Sequence, residues 1–186
     1  MRLFVAIELP DSIKDRLSLL AGGLHGARWS DADQMHLTLR FIGEVEAPKA
    51  DDVAAALHQV WAPSFPLSLV GLGEFSARGR VQTLWAGVES SPALMGLQAR
   101  IESAVRRAGL PPEKRKFHPH VTLARLGEVR PDLGRYFAQH EPFRSAPFDI
   151  DEFTLFSSAL GSDGAAHCVE ARYPLGLPFQ GVTSSL

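Results

Sequence analysis

The chain is short of cysteine, of long apolar runs and of surplus positive charge, and each shortage excludes something. Cys168 is the single cysteine among 186 residues, which rules out an internal disulfide framework and a cysteine-based zinc site and fits a reducing cytoplasm. The apolar run at residues 3–7 is interrupted by Glu8 and Pro10. A secretory leader needs a longer stretch and a small-residue cleavage site, and a membrane span needs about 20 apolar residues, so a cytoplasmic protein with no membrane partner is expected. The formal charge is −2, whereas a domain that holds nucleic acid by bulk electrostatics is clearly basic. Any nucleic-acid contact must therefore be local. A hydrophobic fraction of 45% with 22% charged residues excludes a disordered chain or a coiled coil and leaves a globular domain, or two small lobes sharing a core.

The apolar periodicities alternate between strand and helix. Residues 3–9 read as a buried strand ended by Pro10, 11–21 as a helix ended by Gly22-Gly23, and 34–42 as a strand of period two. A helix follows from Pro48 with Val53, Ala56, Leu57 and Val60 on one stripe. Strands are expected at 66–75 and 81–89 with a loop at 76–80 between them. A helix runs from Pro92 to Gly109, a basic loop carries Lys114-Arg115-Lys116, and 118–126 is a strand. A short helix at 131–139, strands at 148–156 and 168–173 and a loose tail at 176–186 complete the chain. The order strand–helix–strand over 3–42 returns over 81–126, which suggests two similar lobes, each a sheet with helices packed on it. A doubly wound parallel sheet is the alternative. Mostly antiparallel α+β is preferred, because no glycine-rich phosphate loop follows the first strand.

The third element of each repeat carries the same local sequence, His36-Leu37-Thr38-Leu39 and His120-Val121-Thr122-Leu123, 84 residues apart. With 7 histidines and 5 threonines in the chain, chance predicts about 0.2 His-x-Thr occurrences; two are present. Side chains alternate faces along a strand, so His36 shares a face with Thr38, and His120 with Thr122, while the leucines and Val121 turn to the other. If two lobes face each other, two imidazoles and two hydroxyls converge on one ligand. Two histidines without a nucleophilic carboxylate suit general acid–base chemistry: imidazole titrates near 6.5, so one ring can take a proton from water while the other gives one to a leaving oxygen. Threonine hydroxyls can hydrogen-bond non-bridging phosphoryl oxygens. The natural substrate is a phosphodiester, above all a strained cyclic one.

At these residues the sequence resembles the 2H phosphoesterase superfamily, and within it the RNA 2′,3′-cyclic phosphodiesterases, also called 2′-5′ RNA ligases. The likeness runs through residues 2–7, His36-Leu37-Thr38-Leu39-Arg40-Phe41-Ile42-Gly43-Glu44, Phe117-His118-Pro119-His120-Val121-Thr122-Leu123-Ala124-Arg125 and Phe153-Thr154-Leu155-Phe156. The resemblance implies a bilobal α+β fold spanning 1–186 as one domain of two interleaved lobes. It has two pseudo-symmetric, mostly antiparallel sheets, helices outside and the site in a central groove. The reaction it implies is hydrolysis of a 2′,3′-cyclic phosphate at an RNA 3′ end to a 2′-phosphomonoester, with 2′-5′ ligation as the reverse chemistry. In that reading His36 gives a proton to the departing 3′ oxygen, His120 activates water, and Thr38 and Thr122 hold the phosphoryl oxygens. Neither a metal nor a nucleotide cofactor is implied. Arg125 matches a substrate-binding position, but strict alternation from His120 puts it on the wrong face, so that role requires a bulge.

Several assignments stay open at this level. Arg40 shares a face with His36 by alternation. Phe4, Phe41 and Phe156 lie near the motifs and read as core, with base stacking as the alternative. His118 lies close to His120, but Pro119 breaks simple alternation there, and a structural place is favoured. His25, His58, His140 and His167 have no repeat partner. The basic run at 114–116 is a solvated loop or a guide for an anionic strand. Two other functions remain: a phosphodiesterase for small molecules such as a nucleoside 2′,3′-cyclic phosphate or ADP-ribose cyclic phosphate, and a non-catalytic RNA- or nucleotide-binding module. No oligomerisation signal is evident, and a monomer is expected.

Overall fold

The computed structural model describes residues 1–127, 132–161 and 164–176. Its strands are β1 (Arg2–Glu8), β2 (Ala27–Trp29), β3 (His36–Glu44), β4 (Phe65–Leu67), β5 (Leu69–Ala77), β6 (Arg80–Val88), β7 (His120–Leu126), β8 (Phe148–Ile150), β9 (Glu152–Gly161) and β10 (Gly164–Pro174). The helices are α1 (Asp11–Ser18), α2 (Ala47–His58), α3 (Pro92–Arg107) and α4 (Leu133–His140). All strand pairs are antiparallel, which settles the choice against a doubly wound parallel sheet. The main sheet runs β10-β9-β1-β3-β7-β6-β5, with β2 also on β7, and β4 pairs with β8 separately. The two halves of the main sheet meet between β3 and β7 at one residue pair, Leu37 with Val121.

The helices cover one face of this sheet, and the reason is written in the alternation. Leu3, Val5 and Ile7 of β1 join one large core with Ile13 and Leu17 of α1, Val53 and Leu57 of α2, and Leu97, Ile101 and Val105 of α3. Phe4 and Ala6, the intervening residues, point to the opposite face and form a small separate cluster with Phe156 of β9. Ser91 caps α3 through a hydrogen bond from the Leu94 N–H, and Pro92 fills the first helical position, where no N–H is needed. Asp132 caps α4 in the same way, accepting from the Arg135 N–H.

The expected loop at 76–80 is shorter in the structure. Strands β5 and β6 run on through Ser76–Val81 and Ala77–Arg80, and only Arg78 and Gly79 turn, both with positive φ, 52° and 72°. Two left-handed residues are what a twist-matched two-residue hairpin demands. Strand β2 and the short 3-10 turn at Ala32–Gln34 fall in a stretch read as loop. Residues 177–186 of the expected tail lie outside the described residues.

Candidate active site

The pairing of Leu37 with Val121 fixes what surrounds it. Both side chains are fully buried on the helix side, so their neighbours in sequence emerge on the open side. In antiparallel register His36 then faces Thr122 and Thr38 faces His120. The two histidines are diagonal neighbours, with Cα atoms roughly 7–8 Å apart. Four side chains from residues distant in sequence thus ring one point on the open face. Neither imidazole is sealed in the core, since His36 and His120 are both half-buried.

Both rings are held. His120 Nδ1 lies 2.7 Å from the His118 carbonyl. With the proton on Nδ1 it donates there, leaving the Nε2 lone pair for the groove. One nitrogen of His36 is likewise engaged by the Gln34 backbone, two residues upstream. Burial pushes the His36 imidazole down to about 4; the His167 ring, His120 and Lys14 push the same way, and the Gln34 hydrogen bond opposes them. His120 is lowered as well, by burial first, with the His118 carbonyl opposing. Both shifts favour the neutral imidazole in the free protein.

A β-bulge decides the outer residues. On β1, Ala6 pairs with Thr38 and Val5 with Arg40, so β3 holds an extra residue at Leu39. The corresponding step on β7 occurs where Leu84 pairs with Ala124 and Trp85 with Thr122. After each bulge the alternation flips. Arg40 therefore turns away from His36, contrary to the sequence expectation. Its Nε donates to Glu102 Oε2 of α3 at 2.5 Å, and its terminal nitrogens donate to the Phe41 carbonyl and, at 2.6 Å, to the Pro111 carbonyl. It ties the 111–113 loop to the core. Arg125, by contrast, is flipped onto the face of His120 and Thr122, the face that the expected substrate role would require. Phe41, the repeat equivalent of Arg125, also emerges on the open side at 53% exposure, which corrects its reading as core. Phe4 and Phe156 are buried and stacked, ring centroids 5.1 Å apart, with His36 4.9 Å from Phe4. Lys114, Arg115 and Lys116 are exposed.

Sequence reasoning missed four side chains on this face. His167 of β10 sits edge-on to His36 with centroids 5.2 Å apart. Trp85 of β6 lies against His118 at 4.9 Å, and Phe75 of β5 lies edge-on to His120 at 4.8 Å. His118, favoured as structural, is exposed in that aromatic cluster. Arg28 of β2 is the fourth, directly opposite Arg125. Trp85 had a signal: the glycines opposite and beside it, Gly73 and Gly87, leave room for a large ring. A Cβ at Gly73 would stand 2.2 Å from the indole. His167 had none, because only the sheet order brings β10 near β3. Three polar side-chain atoms are buried without a partner among the described residues: Trp85 Nε1, Thr154 Oγ1 and His167 Nδ1. All three belong to side chains on this face, by register with Thr122, Ala6 and Ser158. Among the described residues, no three histidine, cysteine or acidic side chains are grouped to hold a metal.

A sheet whose open face brings two His-x-Thr strands together around one point is an arrangement that fits the two-histidine phosphoesterase class. The family model of the 2′-5′ RNA ligase superfamily matches residues 9–161, and the chain belongs to that family. It is 31% identical over 185 residues to the RNA 2′,3′-cyclic phosphodiesterase of Thermotoga maritima, covering 95% of this chain and 98% of that protein. To the RNA 2′,3′-cyclic phosphodiesterase of Escherichia coli K12 it is 32% identical over 179 residues, covering 94% and 96%. The crystal structure of E. coli LigT complexed with 3′-AMP superposes with a TM-score of 0.77 at 28% identity, covering 94% of this chain and 97% of that one.

Proposed function

We infer that this enzyme hydrolyses the 2′,3′-cyclic phosphate at an RNA 3′ end to a 2′-phosphomonoester, using His36 and His120 as acid and base and no metal. The observation that supports the reading is the Leu37–Val121 pair, whose register sets His36 beside Thr122 and Thr38 beside His120 on the open face. His120 Nε2 accepts a proton from the attacking water as its oxygen bonds to phosphorus. The bond from phosphorus to the 3′ oxygen breaks, and His36 gives that oxygen its proton. The rings exchange protonation states and return through solvent. Thr38 and Thr122 donate to the non-bridging oxygens, and Arg125 offsets phosphate charge from the same face. Each proton transfer is worth about 10²–10⁴-fold.

His36 can act as the acid only if substrate binding loads it with a proton, since burial holds it near 4 in the free protein. The phosphate anion does this: placed between two rings, it favours the charged form of each. Ligation is the same path with an RNA 5′-hydroxyl standing where water stood: its oxygen bonds to phosphorus as the bond to the 3′ oxygen breaks, leaving a 2′-5′ linkage. The four groups come from one chain, so a monomer suffices, and we read residues 1–186 as one domain of two interleaved lobes working in the cytoplasm. Among the described residues no helix is long and apolar enough to cross a membrane.

Phosphorus NMR of an oligonucleotide ending in a cyclic phosphate, incubated with the protein and chelator, tests this directly. The expected product is the 2′-phosphomonoester. A 3′-phosphomonoester overturns the assigned leaving oxygen, and an unchanged cyclic phosphate overturns the activity.

A further inference from the structure

The row of the sheet beyond the histidines holds an unbalanced pair of cations. Arg28 of β2 and Arg125 of β7 are cross-strand partners, with Thr83 of β6 on the other side of Arg125. Residues directly opposite one another share a face. The flanking pairs, Ala27 with Leu126 and Trp29 with Ala124, point into the core, where Leu126 and Ala124 are buried. Both guanidiniums therefore stand on the open face, one row beyond Thr122 and Trp85, and both residues are exposed. Like charges directly opposite destabilise a sheet. Yet among the described residues neither guanidinium has a hydrogen bond or an ion pair, unlike those of Arg40, Arg144 and Arg172, which all have carboxylate partners. The chain as a whole carries a net charge of −2, so this is no corner of a generally basic surface. The repeat sharpens the point: where one half presents Arg125, the other presents exposed Phe41.

We propose that Arg28, alongside the Arg125 that serves the terminal phosphate, forms a second phosphate subsite that takes the phosphodiester immediately upstream of the terminal nucleotide and makes the enzyme select RNA ends over nucleoside cyclic phosphates. The inference rests on the proposed function above, in which the cyclic phosphate fills the ring of His36, Thr38, His120 and Thr122. With that place taken, the next phosphate of the strand is the group that meets the arginine row. Guanidinium forks bind phosphate oxygens in pairs. A nucleoside 2′,3′-cyclic phosphate has no such upstream group, so it gains nothing from Arg28.

The test compares a dinucleotide ending in a 2′,3′-cyclic phosphate with the matching nucleoside 2′,3′-cyclic phosphate. In Arg28→Gln, the ratio of kcat/KM for the dinucleotide to that for the nucleoside falls about tenfold, and Arg28→Lys restores part of it. Equal losses on both substrates, or a ratio that does not move, overturn the subsite. Wild type supplies a reading that needs no variant to fold: its kcat/KM for the dinucleotide falls more steeply with salt than that for the nucleoside, by about 0.7 in log–log slope for each phosphate contact. Identical salt slopes also overturn it. Wild type that turns over neither substrate removes the proposed activity instead. The subsite is then judged by fluorescence anisotropy of a labelled dinucleotide ending in a 2′-phosphate, whose binding Arg28→Gln weakens about tenfold if the subsite exists and leaves alone if it does not.

Discussion

His36 makes the stability of this protein depend on pH below 6.5. Its imidazole is lowered from 6.5 to about 4 in the folded chain and returns to the ordinary value on unfolding. Between those two values the unfolded state binds the proton that the folded state refuses. The stabilisation is therefore complete above pH 6.5 and is lost as pH falls toward 4. At 1.36 kcal/mol per pH unit, the loss from this one ring reaches about 3 kcal/mol by pH 4. Replacing it with a residue that does not titrate, His36→Gln, removes the effect. Chemical denaturation of wild type and variant at half-unit steps from pH 7.5 to 4 measures it together with its coupling to His167 and His120, because the uncoupled groups cancel in the difference. The expected outcome is a variant that gains on wild type by about 3 kcal/mol across the window. Parallel curves would refute the claim that this imidazole is buried neutral, and with it the need for substrate to load its proton.

Four other outcomes follow from the same geometry. Both reacting rings lie below 6.5 in the free protein, so the bell for kcat/KM should centre on the acid side of pH 6.5, and that for kcat, which reports the phosphate-bound enzyme, at higher pH. Coincident bells above pH 7 would contradict this. His36→Ala and His120→Ala should each lose about 10²–10⁴ in kcat with an unaltered circular dichroism spectrum, and an activated leaving group should rescue only the first; full rescue of both would dissolve the acid–base distinction. Gly73→Ala puts a methyl 2.2 Å from the Trp85 indole and should cost about 1–3 kcal/mol with a shift in tryptophan emission; an unchanged Tm and emission would mean the indole has somewhere else to go. Arg40→Met strands Glu102, which is 20% exposed, so about 2 kcal/mol is expected, below the range for a fully buried pair; equal denaturation midpoints for variant and wild type would deny Arg40 its anchoring role.

The strands and helices were legible because their burial is one-sided, and the His-x-Thr faces followed from alternation alone. What stayed hidden was the consequence of one extra residue. Nothing in Leu37-Thr38-Leu39-Arg40 announces a bulge, since each residue is acceptable to a regular strand. The bulge nonetheless sends Arg40 to Glu102 and Phe41 into the open. The same device on β7 was anticipated only because Arg125 needed it. Strand β2 escaped for a different reason: three residues are too few for a period to show, and it is β7 that supplies its hydrogen bonds. Long-range adjacency of the kind that sets His167 against His36 depends on sheet order, which local pattern does not encode.

The narrow join between the halves has a mechanical meaning. Rungs of hydrogen bonds stiffen β1 against β3 and β6 against β7, but β3 and β7 share a single rung, and it lies directly under the point that His36, Thr38, His120 and Thr122 surround. A small relative tilt of the halves about Leu37 and Val121 would change the gap between the two imidazoles while breaking almost no ladder bonds. Under the proposed mechanism the two imidazoles sit over this one rung, so repacking Leu37 or Val121 beneath it should alter the distance between them without touching a group that carries a proton.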